Sequence, residues 1–529
     1  MLDIFEATWG NKVVTGEEKA EKPGLLAFKN SDIAMRILKR HLDNDSKIAI
    51  HCDVDMDGIG TGYIMGRFIT NRTNKVPLYI INKDKEHGIQ QKHVDFFRDK
   101  KLDLMIIVDS SSNEIDIIKQ FNCDVIVIDH HEVLHSELYG HTLDNTHEYV
   151  IVNNTISNND ISSIKCWVSQ FNIDTANKLQ NFDGDDRMSC GLVVYELLRL
   201  YCDTMGMEKL LENLLLFQWA GVTLFTDSII LNTPRNQWYI ENTVHSTDIE
   251  VTLQSILGEL NKYKTLLDKS LINYTIAPVI NKAIRAGHSA DALNVIIFKP
   301  KGITDLLKYR ETQDNAINIG ISDFKATDSY ILRDMSNTEV HKNYNGVIAS
   351  RLCGEYNKNC VVYKVTNGIA EGSFRGRISG LNYREIIDGY SDDSWGMGHK
   401  TAFGFACPVD KLDDVMSKLT SIESSSSNQY LLTAGKLNDK CPGKFVIKDM
   451  DEFKRQGGIW KLGIGNSKVS NDEQIFITVD SADLVLIEQH GKLYLYNALG
   501  MICKAFEPVT EPVVNIYIEC SRQIECYIK

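Results

Sequence analysis

The sequence lacks the segments that would place a protein in or across a membrane. Its longest near-apolar stretch, residues 214–225, has twelve residues and is interrupted by Gln218, whereas a membrane-spanning helix needs about 20 apolar residues. Asp3 and Glu6 stand where a secretory signal would carry positive charge. These absences predict a cytoplasmic protein that does not use a membrane as a partner.

Paired cysteines and an excess of positive charge are also missing. The 12 cysteines form no CxxC pair and no zinc-ribbon spacing, so we expect them to be reduced and buried. The 57 Lys and Arg residues against 71 Asp and Glu give a net charge of −14, which argues against broad coating of nucleic acid. A chain of 529 residues with 43% apolar and 24% charged side chains is typical of a globular protein with several domains.

Short apolar runs and helical stretches alternate from residue 47 to residue 128. The runs that look like buried strands are 47–51, 76–81, 104–109 and 125–129. Stretches with helical spacing lie between them at 62–72 and 113–121, and another precedes them at 32–42. Strands that alternate with helices predict right-handed crossovers and a parallel sheet.

The rest of the chain changes character three times. It is helical from residue 187 to about 271, then mixed from about 275 to 408, with strand-like runs at 294–298 and 360–365. Residues 423–428 are typical of a surface linker, and the alternation beyond them predicts a small all-β module with at least one hairpin. The predicted fold class is α/β. The predicted domains are a parallel-sheet domain at 1–240, a helical connector at 241–274, a second α/β domain at 275–420 and the β module at 430–529.

An acidic string follows the first predicted strand. Residues 51–58 read His-Cys-Asp-Val-Asp-Met-Asp-Gly, and acids at the carboxyl end of a parallel strand project to where ligands bind. Three carboxylates this close raise one another's pKa unless a cation compensates their charge. A solvated acidic turn or a calcium loop is the plainer alternative, although Ile64 stands where a calcium loop needs its glutamate.

The same arrangement recurs on two further strands. One run ends in Asp109, and another ends in Asp129, which is followed by His130 and His131. A helix cap would explain Asp109 by itself, and a surface position would explain the two histidines. Three strands that deliver acids or histidines to one edge instead predict a metal centre, for which Mn²⁺ or Mg²⁺ suits the mixed ligands. Two such ions would clamp a phosphoryl group and activate water for its attack.

From about residue 32 to residue 405 the chain resembles the DHH phosphoesterases, and within them the RecJ-type single-strand-specific exonucleases. HCDVDMDG, IVDS and IDHHE match the first three motifs, and the aspartate of LFTDS matches the fourth, although the family's Gly-Thr pair is shifted here. Four further stretches resemble RecJ-like proteins, the last three of them in the DHHA1 domain: APVINKAIRAG (277–287), NGVIASRL (345–352), EGSFRGR (371–377) and GMGHKTAFGF (396–405). In the last stretch Met397 replaces the first glycine of the family's signature.

The resemblance implies a role for each matching residue of the first four motifs. The implied ligands are His51, Asp55 and Asp57 for one ion, and Asp57, Asp109, His130 and Asp227 for the other. Asp57 would bridge the two ions, and Asp53 would bind weakly or lie behind a ligand. His131 would face the scissile phosphate and stabilise its charge or assist the leaving group, while Asp129 would orient a histidine.

The remaining motifs imply contacts to the substrate. The implied substrate-binding residues are Asn281, Arg285, Ser373, Arg375, Gly398 and His399. Arginine offers forked donors to phosphate, and glycine lets the backbone approach a ligand closely; Arg377 is a weaker candidate. Residues 86–89 lie where relatives carry a loop near the active site, although a surface turn explains them equally well. Tyr344 and Phe374 are candidates to stack on bases, but aromatic residues in mixed sequence more often belong to the core.

The activity implied by the resemblance is a metal-dependent exonuclease that degrades single-stranded DNA in the 5′→3′ direction, in DNA recombination, repair or replication. Single-stranded DNA would be the substrate, and a single-strand-binding protein or a helicase would be a partner. RecJ relatives often carry an OB-type domain, which the β module would then be. Two alternatives stay open: a DHH phosphodiesterase or phosphatase for short oligonucleotides or small nucleotides, and a nucleic-acid-binding replication scaffold.

Overall fold

The computed structural model divides the chain into two compact units. The first comprises Lys22–Leu231 and Arg235–Gln313, and the second begins at Asp314. The residues that the structure describes are 22–83, 86–134, 142–143, 146–185, 187–227, 229, 231, 233–244, 246–260, 267, 271–327, 330–356, 358–376, 382–388, 390–391, 394–399, 401–419, 475–481, 484–490, 493–498, 501–505, 507–520 and 524–528. The predicted linker at 423–428 lies outside them. The four predicted domain ranges stay predictions.

The first unit contains a six-stranded sheet. Its strands are β1 (Ile48–Cys52), β2 (Leu78–Ile81), β3 (Leu104–Val108), β4 (Asp124–Asp129), β5 (Thr142–Leu143) and β6 (His147–Asn153). They lie in the order β2-β1-β3-β4-β6-β5, and every neighbouring pair is parallel except β5 with β6. The parallel sheet predicted from the alternating pattern is therefore confirmed.

Most of the helices lie in the first unit. Those of the first unit are α1 (Ser31–Asp43), α2 (Met56–Thr73), α3 (Gln91–Phe97), α4 (Ile115–Ile118), α5 (Ser162–Ser169), α6 (Ile173–Lys178), α7 (Cys190–Thr204), α8 (Glu208–Asn213), α9 (Phe217–Thr226), α10 (Pro234–Val244), α11 (Val251–Leu260), α12 (Ala277–Arg285) and α13 (Ser289–Ile297). The helix α14 (Tyr309–Gly320) follows, and the second unit contributes α15 (Asn345–Tyr356) and α16 (Arg384–Asp388). No helix in the described part of the chain has both the length and the apolar character needed to cross a bilayer.

The central strands β1, β3 and β4 of the first sheet are buried on both faces. Ile48 and Ile50 of β1 pack in one hydrophobic cluster with residues of α1, α2 and α7. Ala49 points the other way, into a cluster that includes residues of α3 and α4. A parallel sheet covered by helices on both faces needs apolar residues at every position, which is why these strands read as continuous apolar runs.

One predicted strand is wrong. The sequence Asn-Val-Ile-Ile-Phe at residues 294–298 predicts an extended segment, but the structure ends helix α13 there. Ala292, Leu293, Val295 and Ile296 are buried in the first unit's core, which is a helical spacing. A short apolar run fits a buried strand and a buried helix equally well, and here the packing of the surrounding helices selects the helix.

The second unit contains two further sheets. The first has strands β7 (Lys325–Ala326), β8 (Tyr330–Asp334), β9 (Asn359–Thr366), β10 (Ile369–Arg375), β11 (Trp395–His399) and β12 (Ala402–Pro408), in the order β11-β12-β10-β9-β8-β7. The other has strands β13 (Ile475–Asp480), β14 (Val485–His490), β15 (Leu493–Ala498), β16 (Met501–Ala505), β17 (Val513–Cys520) and β18 (Ile524–Ile528). The hairpin predicted near residue 490 is present, because β14 and β15 pair antiparallel. That this module is OB-like stays a prediction.

Candidate metal centre

Three neighbouring strands of the first sheet end at aspartates. Asp53 follows β1, Asp109 follows β3 and Asp129 ends β4, and each of these side chains belongs to a residue that is 1% exposed. The strands are adjacent and parallel, so the three residues lie at one edge of the sheet. Asp109 adopts a left-handed backbone with φ of 66°, which is unusual for a residue other than glycine, asparagine or aspartate. The strand ends thus gather buried carboxylates at the edge where open parallel sheets bind ligands.

The acidic string continues into the first turn of α2. The carboxylate of Asp55 caps this helix by accepting a hydrogen bond from the Gly58 N–H at 2.9 Å. Asp57 accepts hydrogen bonds from the backbone N–H groups of Cys190 (2.9 Å) and Gly191 (3.1 Å). Those two groups begin α7, and the positive end of a helix favours a negative charge. Asp57 is therefore fixed between the starts of two helices.

His130 is oriented so that its Nε2 faces Asp57 and Asp109, while its Nδ1 lies 3.4 Å from Asp227 Oδ2. Its Nδ1 lies 2.9 Å from the carbonyl oxygen of Met188, and a hydrogen bond donated there leaves the lone pair on Nε2. The Nε2 atom lies 3.1 Å from Asp109 Oδ1 and 3.9 Å from Asp57 Oδ2. A histidine whose second nitrogen is held by a carbonyl is the usual arrangement of a metal ligand.

Three groups of side chains place their ligand atoms within 4.8 Å of one another. These groups are Asp57 with His130 and Asp227, Asp109 with His130 and His131, and Asp53 with Asp55 and Asp109. All but one of the predicted metal ligands therefore come together at this edge. The exception is His51, which lies within β1 and joins none of the groups found among the described residues.

His51 is nonetheless placed as a lone-pair donor. It is completely buried, and neither ring nitrogen has a hydrogen-bond partner among the described residues. Burial, with a smaller contribution from His93, lowers the pKa of His51 to about 3. A neutral, buried imidazole without a partner loses the hydrogen bonds that water would give it, and a bound cation would restore an interaction.

The carboxylates repel one another in the protein without bound ions. Burial, and then the charges of Asp227 and Asp55, raise the pKa of Asp57 well above its ordinary range. Burial, and then Asp57 and Asp55, do the same to the pKa of Asp109. Clustered buried acids with raised pKa values become stable as anions when a cation is added. The donor set, four carboxylates with imidazole, and the unpartnered His51 together fit Mn²⁺ or Mg²⁺.

Asp129 and His131 form an ion pair beside this cluster. Asp129 Oδ1 lies 2.8 Å from His131 Nδ1, and the same carboxylate accepts backbone N–H groups of His130 (2.7 Å) and Ser112 (3.1 Å). Although burial opposes it, the Asp129 charge raises the pKa of His131 to about 10, so the ring is a cation at neutral pH. About a third of the His131 side chain is exposed, which leaves it accessible to a ligand.

The loop at residues 86–89 lies against the acidic string. His87 Nδ1 is 2.6 Å from Asp53 Oδ2, and the Gly88 N–H lies 3.2 Å from Asp53 Oδ1. Both oxygens of Asp53 are thus engaged from within the chain. The sequence indicated a loop near the site at this position but gave no sign that His87 holds an aspartate, because nothing local links residues 34 positions apart.

The predicted substrate-binding residues fall in both units. Arg285 lies in the last turn of α12 and donates a hydrogen bond to Gln313 Oε1 at 2.9 Å, and Asn281 lies one turn earlier on the same helix. The others are on strands of the second unit: Ser373 and Arg375 on β10, and Gly398 and His399 on β11. The side chain of His399 and the whole of Arg377 lie outside what the structure describes.

Both aromatic candidates for base stacking are core residues. Tyr344 is 4% exposed and Phe374 is fully buried, and each packs in a hydrophobic cluster of the second unit. A buried ring has no face free for a base, so the plainer expectation, that both residues belong to the core, is confirmed.

Substitution of Gly58 tests whether the acidic string at residues 51–58 binds Mn²⁺. A Cβ atom at this position would lie 2.6 Å from the carbonyl oxygen of Asp53 and 2.8 Å from its carbonyl carbon. These are backbone atoms, so Gly58→Ala must displace the string, and we expect at least a tenfold weaker Mn²⁺ affinity by titration calorimetry. Gly258→Ala is the matched control, because nothing lies within 4 Å of its Cβ and alanine favours the helix. Equal Mn²⁺ affinity in the two variants would contradict the assignment.

Comparison with known proteins agrees with this geometry. Residues 47–221 match the model of the DHH family, N-terminal domain. A stretch of 268 residues is 26% identical to the putative SPbeta prophage-derived single-strand DNA-specific exonuclease YorK of Bacillus subtilis (strain 168), covering 50% of this chain and 39% of that protein. The single-stranded-DNA-specific exonuclease RecJ of the same organism is 28% identical over 99 residues, which are 18% of this chain and 13% of RecJ. The matches thus span well under two thirds of these relatives.

Solved structures extend the likeness over more of the chain. RecJ from Thermus thermophilus in complex with Mn²⁺ superposes with a TM-score of 0.59 at 16% identity, covering 97% of this chain and 72% of that one. An exonuclease RecJ bound to manganese gives a TM-score of 0.52 at 18% identity, covering 76% of this chain and 96% of that one. Residues 47–221 therefore match the DHH family model, and the chain has a RecJ-like DHH fold.

Proposed function

We propose that this protein is a metal-dependent exonuclease that hydrolyses phosphodiesters of single-stranded DNA from the 5′ end. The observation that carries the proposal is the cluster of Asp57, Asp109, His130 and Asp227, whose buried, mutually repelling carboxylates surround an oriented histidine. The DHH domain and the RecJ-like homologues support a phosphoesterase or nuclease. The strand specificity rests on the relatives, which are named as single-strand-specific exonucleases, and the polarity rests on the resemblance to RecJ-type enzymes alone.

The ligand sets proposed from the sequence suit the observed positions. Asp57, Asp109, His130 and Asp227 would hold one ion, and His51, Asp55 and Asp57 the other, with Asp53 behind them. Mn²⁺ or Mg²⁺ bound there would supply Lewis acidity toward the phosphate and a lowered pKa of water. The α7 N–H groups keep the Asp57 carboxylate in place for both sets.

The chain's own residues would bind and orient the phosphodiester. His131, held as a cation by Asp129, is suited to stabilise charge on the scissile phosphate or to protonate the leaving oxygen. Arg285 and Arg375 carry forked donors for backbone phosphates. Asn281, Ser373, Gly398 and His399 would add hydrogen bonds or close backbone contacts to the same strand.

The proposed activity suggests a cellular process, a location and partners for the protein. Degradation of single strands fits DNA recombination, repair or replication in the cytoplasm, with a single-strand-binding protein or a helicase as partner. In this proposal residues 1–240 form the DHH domain, 241–274 a connector, 275–420 the DHHA1 domain and 430–529 an accessory β module.

The test is an assay of the full-length protein on four labelled substrates: single-stranded DNA labelled at the 5′ end, the same strand labelled at the 3′ end, a matching duplex and a dinucleotide. With Mn²⁺ we expect mononucleotides from the 5′ end of single-stranded DNA and little cleavage of the duplex, the dinucleotide being cut more slowly. A chelator should abolish the activity, and added Mn²⁺ should restore it. Cleavage of the dinucleotide alone would show a small-substrate phosphodiesterase instead, and tight strand binding without turnover would show a scaffold.

A further inference from the structure

The loop at residues 86–89 is tethered at three points over the carboxyl ends of three strands. The Gly88 carbonyl accepts a hydrogen bond from Asn82 Nδ2 at 2.7 Å, and the Gly88 N–H donates to Asp53 Oδ1 at 3.2 Å. The Ile89 N–H donates to Ser111 Oγ at 2.8 Å. Asn82, Asp53 and Ser111 follow β2, β1 and β3, which are neighbours in the sheet. The loop backbone is therefore fixed across adjacent strand ends.

The tethers leave one side chain of the loop exposed. Gly88 adopts a left-handed backbone with φ of 74°, and a Cβ there would lie 3.2 Å from Ser111 Oγ, so the chain fits closely at this point. Asn82 and Ile89 are 2% and 1% exposed. The His87 side chain, directly before Gly88, is 44% exposed. The loop thus holds its backbone against the strand ends while its imidazole faces solvent.

Asp53 fixes the orientation of the His87 ring. The Nδ1 atom of His87 lies 2.6 Å from Asp53 Oδ2, and the Asp53 side chain is 2% exposed. Within the described part of the chain, His87 Nε2 has no hydrogen-bond partner. Because the three tethers already hold the loop, the loop does not need this exposed ring for its own support. Nε2 is therefore left available to a ligand.

The Asp53–His87 pair repeats the Asp129–His131 pair on the other side of the cluster. In both pairs a buried aspartate at a strand end lies within hydrogen-bond distance of Nδ1 of a partly exposed histidine, at 2.6 Å and 2.8 Å. The register of β1, β3 and β4 places Asp53, Asp109 and Asp129 in one row. The outer two aspartates are two strand spacings apart, roughly 10 Å. A phosphodiester bound over this row would have one imidazole on each side.

We propose that His87 binds the substrate through Nε2, which donates a hydrogen bond to an oxygen of the phosphate next to the scissile one. The proposal deepens, and rests on, the proposed function, in which His131 serves the scissile phosphate itself. Asp53 is then the residue that holds His87, and its carboxylate balances the charge of a ring that carries protons on both nitrogens. A hydrogen bond from such a ring to a phosphate is of the strong, charge-assisted kind.

The experiment measures binding of fluorescent single-stranded DNA by anisotropy, with Ca²⁺ in place of Mn²⁺ and readings taken before any cleavage. One strand has ordinary linkages, a second has neutral methylphosphonate linkages next to its 5′ end, and a third has them next to its 3′ end. For His87→Ala we expect about a tenfold loss of affinity for the ordinary strand. The neutral 5′ linkages should weaken binding by the wild type by a similar factor. They should weaken binding by His87→Ala much less, because the contact that they remove is already absent.

Further substitutions separate contact with the strand from support of the loop. The amide of asparagine lies near the position of Nδ1, so His87→Asn keeps a donor for Asp53 but has no donor at Nε2, and it should lose as much affinity as His87→Ala. His87→Gln reaches about as far as Nε2 and should recover part of the affinity. His147→Ala is the matched control and should not change binding. His147 is 33% exposed and also lies beside a buried aspartate, Asp124, but it begins β6 at the opposite edge of the sheet.

Several results would overturn the proposal. If His87→Asn bound like the wild type while His87→Ala lost affinity, the ring would only support the loop. Neutral linkages that weakened the wild type and His87→Ala equally at both ends would exclude a phosphate contact, and an equal loss in His147→Ala would show a general effect of removing a histidine. Mn²⁺ affinity of His87→Asn, measured by titration calorimetry, should match the wild type. A clear loss would make His87 a support of the metal centre instead.

The proposed function is judged separately by hydrolysis with Mn²⁺. Strand binding that depends on His87 without any hydrolysis would overturn the exonuclease and keep the contact. Hydrolysis with unchanged binding by His87→Ala would keep the exonuclease and remove the contact. If only the neutral 3′ linkages distinguished the wild type from His87→Ala, the contact would stand and the 5′ polarity would be wrong.

Discussion

Asp109→Asn should reduce phosphodiester hydrolysis at least about a hundredfold and leave the metal-free protein folded. Substitutions behind metal ligands already cost about 10–100-fold, and Asp109 Oδ1 lies only 3.1 Å from His130 Nε2 in the centre of the cluster. Asparagine keeps the size of the side chain and tolerates the left-handed backbone at φ 66°. The variant therefore removes one charge with little change of shape.

Although Asp109→Asn should lower activity, it should leave the metal-free protein equally or more stable at high pH. Because burial and its neighbouring carboxylates raise the pKa of Asp109 in the folded state, the native protein binds more protons than the unfolded chain. The free energy of unfolding should then fall as pH rises above the ordinary pKa of aspartate, and Asp109→Asn should show a weaker fall and an equal or higher Tm at pH 8. Thermal unfolding with and without EDTA measures this.

A titration with Mn²⁺ separates the effect of Asp109→Asn on metal binding from its effect on the stability of the metal-free protein. A ligand at 100 times its Kd stabilises the native state by about 2.7 kcal/mol, so wild-type Tm should rise with Mn²⁺ while Asp109→Asn responds much less. Asp109→Ala is a harsher comparison, since alanine is less tolerant of positive φ. Full activity of Asp109→Asn, or an equal Mn²⁺ response in both proteins, would remove Asp109 from the ligand set.

Glu250→Ala should destabilise the first unit by about 4 kcal/mol, the largest structural effect we expect from a side chain outside the cluster. Glu250 is 2% exposed and accepts hydrogen bonds from Tyr63 Oη (2.6 Å), Trp219 Nε1 (2.9 Å) and the Thr252 N–H (2.9 Å). Removing the carboxylate leaves several buried donors without an acceptor, at about 1–3 kcal/mol each. The donors lie on α2, α9 and the start of α11, so one side chain ties three helices together.

The measurement is the shift in Tm, for which we expect a fall of roughly 10 °C. Glu250→Gln keeps one acceptor oxygen and should fall by less. Glu208→Ala, which removes an exposed glutamate from the first turn of α8, should change Tm by no more than a degree or two. Because Asp57 also lies on α2, we expect Glu250→Ala to weaken Mn²⁺ affinity as well as to lower the stability of the fold. A Tm loss under 2 °C for Glu250→Ala would show that water or another group satisfies these donors.

The fold and the site were predictable to different degrees. The parallel sheet was predictable because strands buried on both faces are continuous apolar runs, and each run here ends close to its predicted position. The helical conformation of residues 294–298 was not predictable, because a run of five residues is too short for its apolar spacing to distinguish a helix from a strand. Tyr344 and Phe374 show the same limit of local sequence. The residues around an aromatic side chain do not reveal whether it faces the core or a ligand.

The sequence by itself determined that acids and histidines would meet at one sheet edge. Asp53, Asp109, Asp129 and His130 are encoded at or just beyond the ends of parallel strands, and parallel strands bring those ends together regardless of other detail. The resemblance to the DHH phosphoesterases was also visible in the sequence, since the motifs are contiguous strings of residues with fixed spacing.

Only the tertiary structure decided how those side chains are held. The N–H groups that fix Asp57 come from residues more than 130 positions away, and the carbonyl that orients His130 belongs to Met188. The same holds for Glu250 beneath α2 and for His87 beside Asp53. Such contacts depend on the packing of elements that are distant in sequence. A local pattern of residue types therefore does not predict which backbone groups and side chains will meet.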